Sequence, residues 1–215
     1  MSSALKPVLL REHFVISRAT GAFRRAFDVL CAAAGLLVLS PAFCAIAIAI
    51  KLDDGGAVFY AQDRVGKNFR IFRLYKFRSM IANADREGLL TSSQDTRVTR
   101  IGRFLRRHKL DELPQLFNVL KGDMQFVGAR PEVEKYVKLF HAQYALILRG
   151  RPGLTDPATL AYRHEDEILS SLHLERQYIE KILPEKIRLS LEYQQHRTLL
   201  SDIRVLLGTA FPPLG

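Results

Sequence analysis

Several features that define other protein classes are missing from this 215-residue sequence. Cysteine occurs only at positions 31 and 44, inside the most apolar stretch, which excludes a disulfide framework or a four-cysteine zinc site and favours a reducing compartment. The sequence has no Walker A loop, no Gly-rich dinucleotide turn and no G-x-S-x-G element. Charged residues at 25% and apolar residues at 48% exclude wholesale disorder.

Acidic residues are scarce in one part of the chain. Between Arg64 and Lys109 there are 13 Lys or Arg against three acids, so this segment alone carries the net charge of +10. A basic excess of this size predicts an anionic partner, such as nucleic acid, a lipid headgroup or a phosphorylated substrate. A solvated basic surface is the alternative that the charge count leaves open.

Residues 29–50 form a run of 22 residues without a charge, about the length that a bilayer span requires. Ser40-Pro41 at its middle predicts a sharp kink, at which the serine can bond to a freed carbonyl. Basic residues flank the run on both sides, at Arg18, Arg24, Arg25 and Lys51. The positive-inside rule then places both ends in the cytoplasm, which predicts a re-entrant helix broken at Ser40-Pro41. A kinked single-pass anchor and a signal peptide, whose apolar region would be shorter, are the alternatives.

The rest of the chain predicts a mostly α-helical domain with one small β-hairpin. Residues 57–62 and 69–77 are rich in aromatic and β-branched residues and flank a turn at 66–68. Helices are predicted over 80–88, 101–108, 113–120, 131–148, 165–173 and 175–193, with a break at Pro184 and a loop over 91–99. An apolar stripe near the end of the chain is predicted to lie either on the membrane or on the core. It comprises Leu199, Ile203, Leu206, Leu207 and Ala210.

The chemistry of the basic segment centres on an acidic pair, Asp111-Glu112, which follows four basic residues between positions 103 and 109. Acids among so many bases stay ionised at neutral pH. An ionised carboxylate can attack phosphorus or hold Mg²⁺, while arginine matches phosphate oxygens in two-point fashion. The alternative is structural, with both acids capping the next helix and pairing with nearby arginines.

Four stretches of the sequence resemble the bacterial sugar transferase family, monotopic phosphoglycosyl transferases that begin polysaccharide or glycoconjugate assembly on a lipid carrier. The stretches are QDRVGKN (62–68), YKFRSM (75–80), IGRFLRRHKLDELPQLFNVLKGDMQFVGARPE (101–132) and RPGLTDP (151–157). The resemblance covers residues 24–210, and the break at Ser40-Pro41 matches the re-entrant helix of the family. It implies an N-terminal segment (1–23), a re-entrant membrane helix (24–52) and a helical catalytic domain (53–215) with interfacial helices, without the extra membrane helices that many relatives carry.

The resemblance also implies a reaction and its participants. A phospho-sugar would pass from a nucleotide diphosphate sugar, expected to carry uridine, to polyprenyl phosphate, with release of UMP. Asp111 would be the covalent nucleophile, Glu112 would bind Mg²⁺ or position the phosphate, and Mg²⁺ would lie at both acids. The resemblance places phosphate-binding bases at Lys76, Arg106 and Arg130. Arg78, two residues after Lys76 in the basic segment, is expected to bind phosphate with them. The expected partners are the nucleotide sugar, polyprenyl phosphate and membrane lipid but no nucleic acid, and a homodimer stays open.

The implied location is the cytoplasmic face of the bacterial inner membrane, at the first membrane step of exopolysaccharide, O-antigen or glycoconjugate assembly. The sequence departs from the common family pattern at Ala129, at residues 156–159 and near Ser190 to Gln194, so the sugar stays unnamed. The rival hypothesis is a membrane-anchored basic protein that binds nucleic acid or anionic lipid without catalysis. The acids at 111–112 would repel a nucleic-acid backbone, and a lipid-binding scaffold leaves them unexplained.

Overall fold

The computed structural model describes residues 18–84, 88, 90–91, 95–163, 165–168 and 174–211. The prediction of a mostly helical protein with a small antiparallel hairpin is confirmed. The helices are α1 (Arg18–Val38), α2 (Ser40–Asp54), α3 (Arg100–Arg107), α4 (Gln115–Lys121), α5 (Glu134–Leu139), α6 (His141–Ile147), α7 (Pro157–Ala161), α8 (Glu165–Ile168), α9 (Leu174–Gln177), α10 (Leu183–His196) and α11 (Leu199–Ala210). The strands are β1 (Phe59–Val65), β2 (Ile71–Phe77), β3 (Gln125–Val127) and β4 (Gly153–Thr155). The first 17 residues of the predicted N-terminal segment lie outside the described ranges.

The apolar run folds as two helices that meet at a bend of 59°. The bend lies at Leu39, one residue before the predicted Ser40-Pro41 break. Pro41 has no N–H to donate to the carbonyl of Leu37, four residues earlier, and the Ser40 hydroxyl donates to that carbonyl instead at 2.8 Å. The Leu37 carbonyl therefore keeps a hydrogen bond despite the bend, as a helix break in lipid requires.

Large apolar side chains cover the outer face of the α1–α2 pair. Leu30, Leu37, Val38, Ile48 and Leu52 are each between 60 and 82% exposed. Within the described ranges, no single helix has both the length and the apolarity to cross a membrane, whereas the bent pair meets both conditions taken together. The geometry is compatible with a re-entrant helix.

The β1–β2 hairpin is held against α4 by one asparagine. β1 and β2 pair from Phe59 opposite Phe77 to Val65 opposite Ile71. Asn118, fully buried in α4, donates from Nδ2 to the carbonyl of Arg73 at 2.7 Å and accepts from the N–H of Tyr75 at 3.0 Å on Oδ1. These two bonds fix the outer edge of β2, and with it the position of the residue that follows Tyr75.

A short parallel pair, β3–β4, was not predicted. Gln125 lies opposite Gly153 and Val127 opposite Thr155. A Cβ at Gly153 would clash with the backbone of Gly128, so glycine is required for the two segments to approach. Strands of three residues are too short to produce a periodic apolar pattern, which is why the sequence gave no signal for them.

Two helix predictions are wrong as stated. The described part of 80–88 is not α-helical, because Met80 forms an isolated bridge with Val98 and Ile81 bonds to the carbonyl of Arg97. The single helix predicted over 131–148 is two, α5 and α6, because Phe140 leaves the helical region between them.

The remaining helix predictions need smaller corrections. The predicted break at Pro184 does not occur, since the proline lies in the first turn of α10 and a π-helical segment, Tyr178–Ile182, joins α9 to α10. The helix predicted over 113–120 begins at Gln115, and a separate 3₁₀ turn precedes it. The predictions of a helix over 101–108 and of a loop over the described part of 91–99 are confirmed.

The first and last described helices are tied to the domain by arginines of α1. The Arg24 Nε lies 3.1 Å from an Asp202 carboxylate oxygen on α11, and Arg25 donates to the carbonyl of Val119 at 2.6 Å. Helix α11 buries Asp202 and Val205. Its predicted apolar stripe is largely exposed instead, with Leu199, Ile203, Leu207 and Ala210 on the surface and Leu206 partly buried.

Candidate active site

The acidic pair lies in a tight turn between α3 and α4. Lys109 adopts a left-handed backbone conformation, with φ of 56°, and reverses the chain after α3. The 3₁₀ turn Leu110–Glu112 follows, and Asp111 is buried within it. Gly102 brings α3 close to the segment after β2, because a Cβ there would clash with the carbonyl of Ser79. The acids therefore lie beside β2.

Two cations converge on Glu112. Lys76 of β2 donates from Nζ to Glu112 Oε1 at 3.1 Å, and Arg130 donates from Nη2 to the same oxygen. Arg130 lies three residues after the end of β3 and also donates from Nη1 to the carbonyl of Leu154 in β4 at 3.3 Å. The hairpin and the unpredicted parallel pair thus deliver one cation each to the acidic turn.

The electrostatics of the acidic pair are asymmetric. Burial by itself raises the pKa of Glu112, but Arg130 and Lys76 outweigh it and hold that pKa well below its usual value. Burial raises the pKa of Asp111, and the nearby Lys76 only partly offsets this. Burial also lowers the pKa of Lys76, although Glu112 opposes the shift. Glu112 is therefore firmly ionised, whereas Asp111 is the more easily protonated of the two.

One carboxylate oxygen of Asp111 also lacks a partner within the described ranges. Its Oδ1 is buried and has no hydrogen-bond partner among the described residues. Buried polar atoms without partners are rare in folded proteins and call for an explanation. Arg106 of α3 is close enough to favour the charged form of Asp111. A free carboxylate oxygen beside several cations is well placed to meet a phosphate group.

The predicted phosphate-binding bases do not all lie together. Lys76 and Arg130 bind Glu112 directly, and Arg106 acts electrostatically on Asp111. Arg78 instead forms an ion pair with Asp54 at the end of α2, where its guanidinium packs over Gly56. The structure therefore gives Arg78 a role in joining the apolar helix pair to the domain.

Few side chains at this site could bind the expected magnesium ion. In the part of the chain that the structure describes, no group of three or more His, Cys, Asp or Glu side chains could hold a metal ion. Mg²⁺ is commonly bound by one or two carboxylates, with the remaining positions filled by water and substrate phosphates. The free Oδ1 of Asp111 and the adjacent Glu112 fit that mode of binding.

A polar cavity of about 170 Å³ is lined by Lys76 and Arg130, the two cations that bind Glu112. Further charged side chains in its wall form internal ion pairs. Arg64 Nη1 lies 2.9 Å from an oxygen of Glu132, and Lys186 Nζ lies 2.6 Å from one of Glu165. Sequence reasoning missed all four, because each pair joins residues that are distant along the chain.

The two C-terminal segments expected from the sequence to depart from the family pattern contact each other in this wall. Asp156 is buried and accepts from the Ser190 hydroxyl at 2.6 Å, from the N–H of Thr159 at 2.8 Å and from the Thr159 hydroxyl at 2.7 Å. Both Asp156 and Ser190 line the cavity. The two segments thus form one hydrogen-bonded unit.

Comparison with known proteins finds relatives over most of the chain. The family described as "Bacterial sugar transferase" matches residues 19–214. The exopolysaccharide production protein ExoY of Sinorhizobium fredii is 36% identical over 190 residues, covering 78% of this chain and 84% of that protein. The UDP-glucose:undecaprenyl-phosphate glucose-1-phosphate transferase of Escherichia coli is 35% identical over 194 residues, covering 87% of this chain and 39% of that protein. A UDP-N-acetylgalactosamine-undecaprenyl-phosphate N-acetylgalactosaminephosphotransferase of Aeromonas hydrophila is 41% identical over 143 residues, covering 65% of this chain and 34% of that protein.

These relatives confirm the enzyme class expected from the sequence, a phosphoglycosyl transferase. The chain belongs to the bacterial sugar transferase family. The motif-based expectation is thereby confirmed, and the rival hypothesis of a non-catalytic basic protein loses its support.

Proposed function

We propose that this protein transfers a sugar 1-phosphate from a nucleotide diphosphate sugar, with uridine as the base, to undecaprenyl phosphate. The observation that carries the proposal is the buried Asp111, with an unbonded oxygen, beside a Glu112 that is held by Lys76 and Arg130. The names of the relatives support the lipid acceptor and a step in exopolysaccharide synthesis. The polar cavity lined by Lys76 and Arg130 supports binding of the donor beside the cations that hold Glu112.

The first step of the proposed reaction uses Asp111 as a nucleophile. Its carboxylate attacks the phosphorus that bears the sugar, and the bond from that phosphorus to the bridging oxygen breaks. The nucleoside monophosphate leaves with the bonding electrons, and the phospho-sugar stays on Asp111 as an acyl phosphate. Lys76 and Arg130, kept in place by Glu112, offset the charge that builds on the phosphate oxygens.

In the second step the acceptor regenerates the enzyme. A phosphate oxygen of undecaprenyl phosphate attacks the same phosphorus, a diphosphate bond forms, and the bond to Asp111 breaks. Mg²⁺, held by Asp111 and Glu112, would supply positive charge that neutralises phosphate oxygens. The two steps let one site serve a soluble donor and a membrane-held acceptor in turn.

The membrane arrangement is part of the proposal. The α1–α2 pair would enter the cytoplasmic leaflet, turn at the 59° bend and return, so that both chain ends stay in the cytoplasm. The exposed apolar side chains on this pair support contact with lipid. Tags at either terminus should be accessible only from the cytoplasm in intact cells, and labelling of the N-terminus from outside would contradict this topology.

The test of the reaction is nucleotide release. Protein in detergent with Mg²⁺ would be given undecaprenyl phosphate and a panel of UDP-sugars. UMP should appear with one donor, and Asp111→Asn should abolish it, while Asp63→Asn, an exposed carboxylate on the hairpin, should not. UDP release would mean ordinary glycosyl transfer and would refute the mechanism. Radiolabelled sugar retained on denatured protein in the absence of lipid would test the covalent step.

A further inference from the structure

A second cavity lies apart from the acidic pair. Its volume is about 360 Å³, and it shares no lining residue with the cavity beside Lys76 and Arg130. The start of α1, the hairpin turn, the loop before β4 and the end of α10 surround it. Six basic side chains line it, namely Arg24, Arg25, Lys67, Arg149, Arg151 and Arg197.

Only two carboxylates oppose these six cations. Asp28 lines the cavity, and Asp202 pairs with both Arg24 and Arg197, the latter at 2.7 Å. The described residues thus leave four positive charges in the cavity wall without an anion. Such an excess of like charge repels itself unless an anion enters.

The four arginines nearest α1 are already occupied by the fold. Arg24 and Arg197 bind Asp202, while Arg25 and Arg151 donate to the carbonyls at the end of α4, including that of Gly122 at 2.8 Å. These bonds hold the wall of the cavity rigid. They also mean that the remaining pair of cations is the part of the wall most available to a ligand.

Lys67 and Arg149 form that remaining pair. Both are exposed, and neither has an ion-pair partner among the residues described. A backbone bond brings their segments together, since the N–H of Asn68 donates to the carbonyl of Leu148 at 2.8 Å. An anion in the cavity would therefore meet two unpaired cations from two different segments.

The height of the cavity along α1 indicates where the anion comes from. Phe23 and Phe27 of α1 are 62% and 45% exposed, and Leu30 is exposed one turn further on. By helical geometry these three lie on the side of α1 away from the cavity, but at the same height along the helix. With α1 placed in the membrane as proposed above, lipid headgroup phosphates lie at this height and acyl chains begin just below it.

We propose that this basic cavity binds the headgroup phosphate of an anionic membrane phospholipid, with Lys67 and Arg149 as its principal contacts. The bound lipid would fix the height of the catalytic domain above the bilayer. The inference rests on the proposed placement of α1 in the membrane but not on the proposed reaction, because its residues do not touch the acidic pair.

The test is lipid binding measured by native mass spectrometry in an uncharged detergent. Short-chain phosphatidylglycerol would be titrated into the full chain, with phosphatidylcholine of the same chain length as the uncharged comparison. We expect the double variant Lys67→Ala/Arg149→Ala to weaken phosphatidylglycerol binding by about tenfold or more. The double variant Lys138→Ala/Lys181→Ala, which removes two exposed charges elsewhere, should bind like the unaltered protein.

Two outcomes would overturn the proposal. Equal phosphatidylglycerol binding by both double variants would mean that the cavity does not select the lipid. Displacement of the lipid by an equal concentration of inorganic phosphate, at constant ionic strength, would identify a free-phosphate site instead. A single Arg149→Glu variant checks the result independently, and should lose phosphatidylglycerol binding while its thermal unfolding midpoint is unchanged.

Discussion

Replacing Asn118 by alanine should destabilise the protein strongly, although the residue touches no substrate group. The change removes the bond to the Arg73 carbonyl at 2.7 Å and the bond from the Tyr75 N–H at 3.0 Å. Both backbone groups would be left without partners beside a fully buried site. Leaving a buried polar group unpaired costs about 1–3 kcal/mol, so two groups and some relaxation give about 2–4 kcal/mol. For a chain of this length that corresponds to a fall in thermal unfolding midpoint of about 4–16 °C.

The assay is thermal unfolding in detergent, with Lys121→Ala on the same helix as the control. Lys121 is an exposed residue, and its substitution should shift the free energy of unfolding by less than about 0.5 kcal/mol. Nucleotide release, measured at a temperature below the unfolding midpoints of both proteins, should also fall for Asn118→Ala. Lys76 directly follows the part of β2 that Asn118 holds in place. A midpoint for Asn118→Ala within 1–2 °C of the unaltered protein, roughly the control's range, would refute this account of the hairpin.

Three further predictions concern the bend, the approach of α3 and the acidic pair. Ser40→Ala should lower the free energy of unfolding by about 1 kcal/mol in detergent, while Ser40→Thr keeps the hydroxyl and should restore it. Gly102→Ala should cost about 1–3 kcal/mol because its Cβ meets a backbone carbonyl, whereas Gly21→Ala, with open space around it, should not destabilise. Because the folded-state pKa of Glu112 lies below 4.5, its ion pairs stabilise the protein above that pH and weaken as the pH falls below it. In metal-free buffer the stability difference between the unaltered protein and Arg130→Gln should therefore shrink with falling pH, and a constant difference would contradict the assignment.

The acidic pair was predictable because its signal is local. Asp111 and Glu112 are adjacent and follow directly on a run of bases, so composition alone singles them out. Lys76 and Arg130 reach Glu112 from 36 and 18 residues away, and only the family resemblance pointed to them. The other expected base, Arg78, came from the charge pattern and not from the resemblance, and it pairs with Asp54 instead. Arg78 lies two residues after Lys76, and in a longer strand the two side chains would lie on the same face of the hairpin. Because β2 ends at Phe77, the alternation of side chains does not extend to Arg78.

The helical and hairpin predictions succeeded where apolar periodicity or turn residues span a whole element. They failed where one tertiary contact decides the backbone. Met80 pairs with Val98 rather than starting a helix, and the three-residue strands β3 and β4 exist only because Gly153 allows close approach. The prediction of a break at Ser40-Pro41 rested on local backbone chemistry and not on such contacts, and the bend is present within one residue of its expected place.

The anchoring of Arg25 has a consequence for how the chain is made. Its guanidinium binds the carbonyl of Val119, which lies 94 residues later in the sequence. At about 5–20 residues per second of synthesis, α1 leaves the ribosome several seconds before its docking site exists. In the proposed arrangement the lipid must shelter the apolar helix during that interval. The membrane would then act first as a holding environment for α1, and only afterwards as the surface on which the finished domain works.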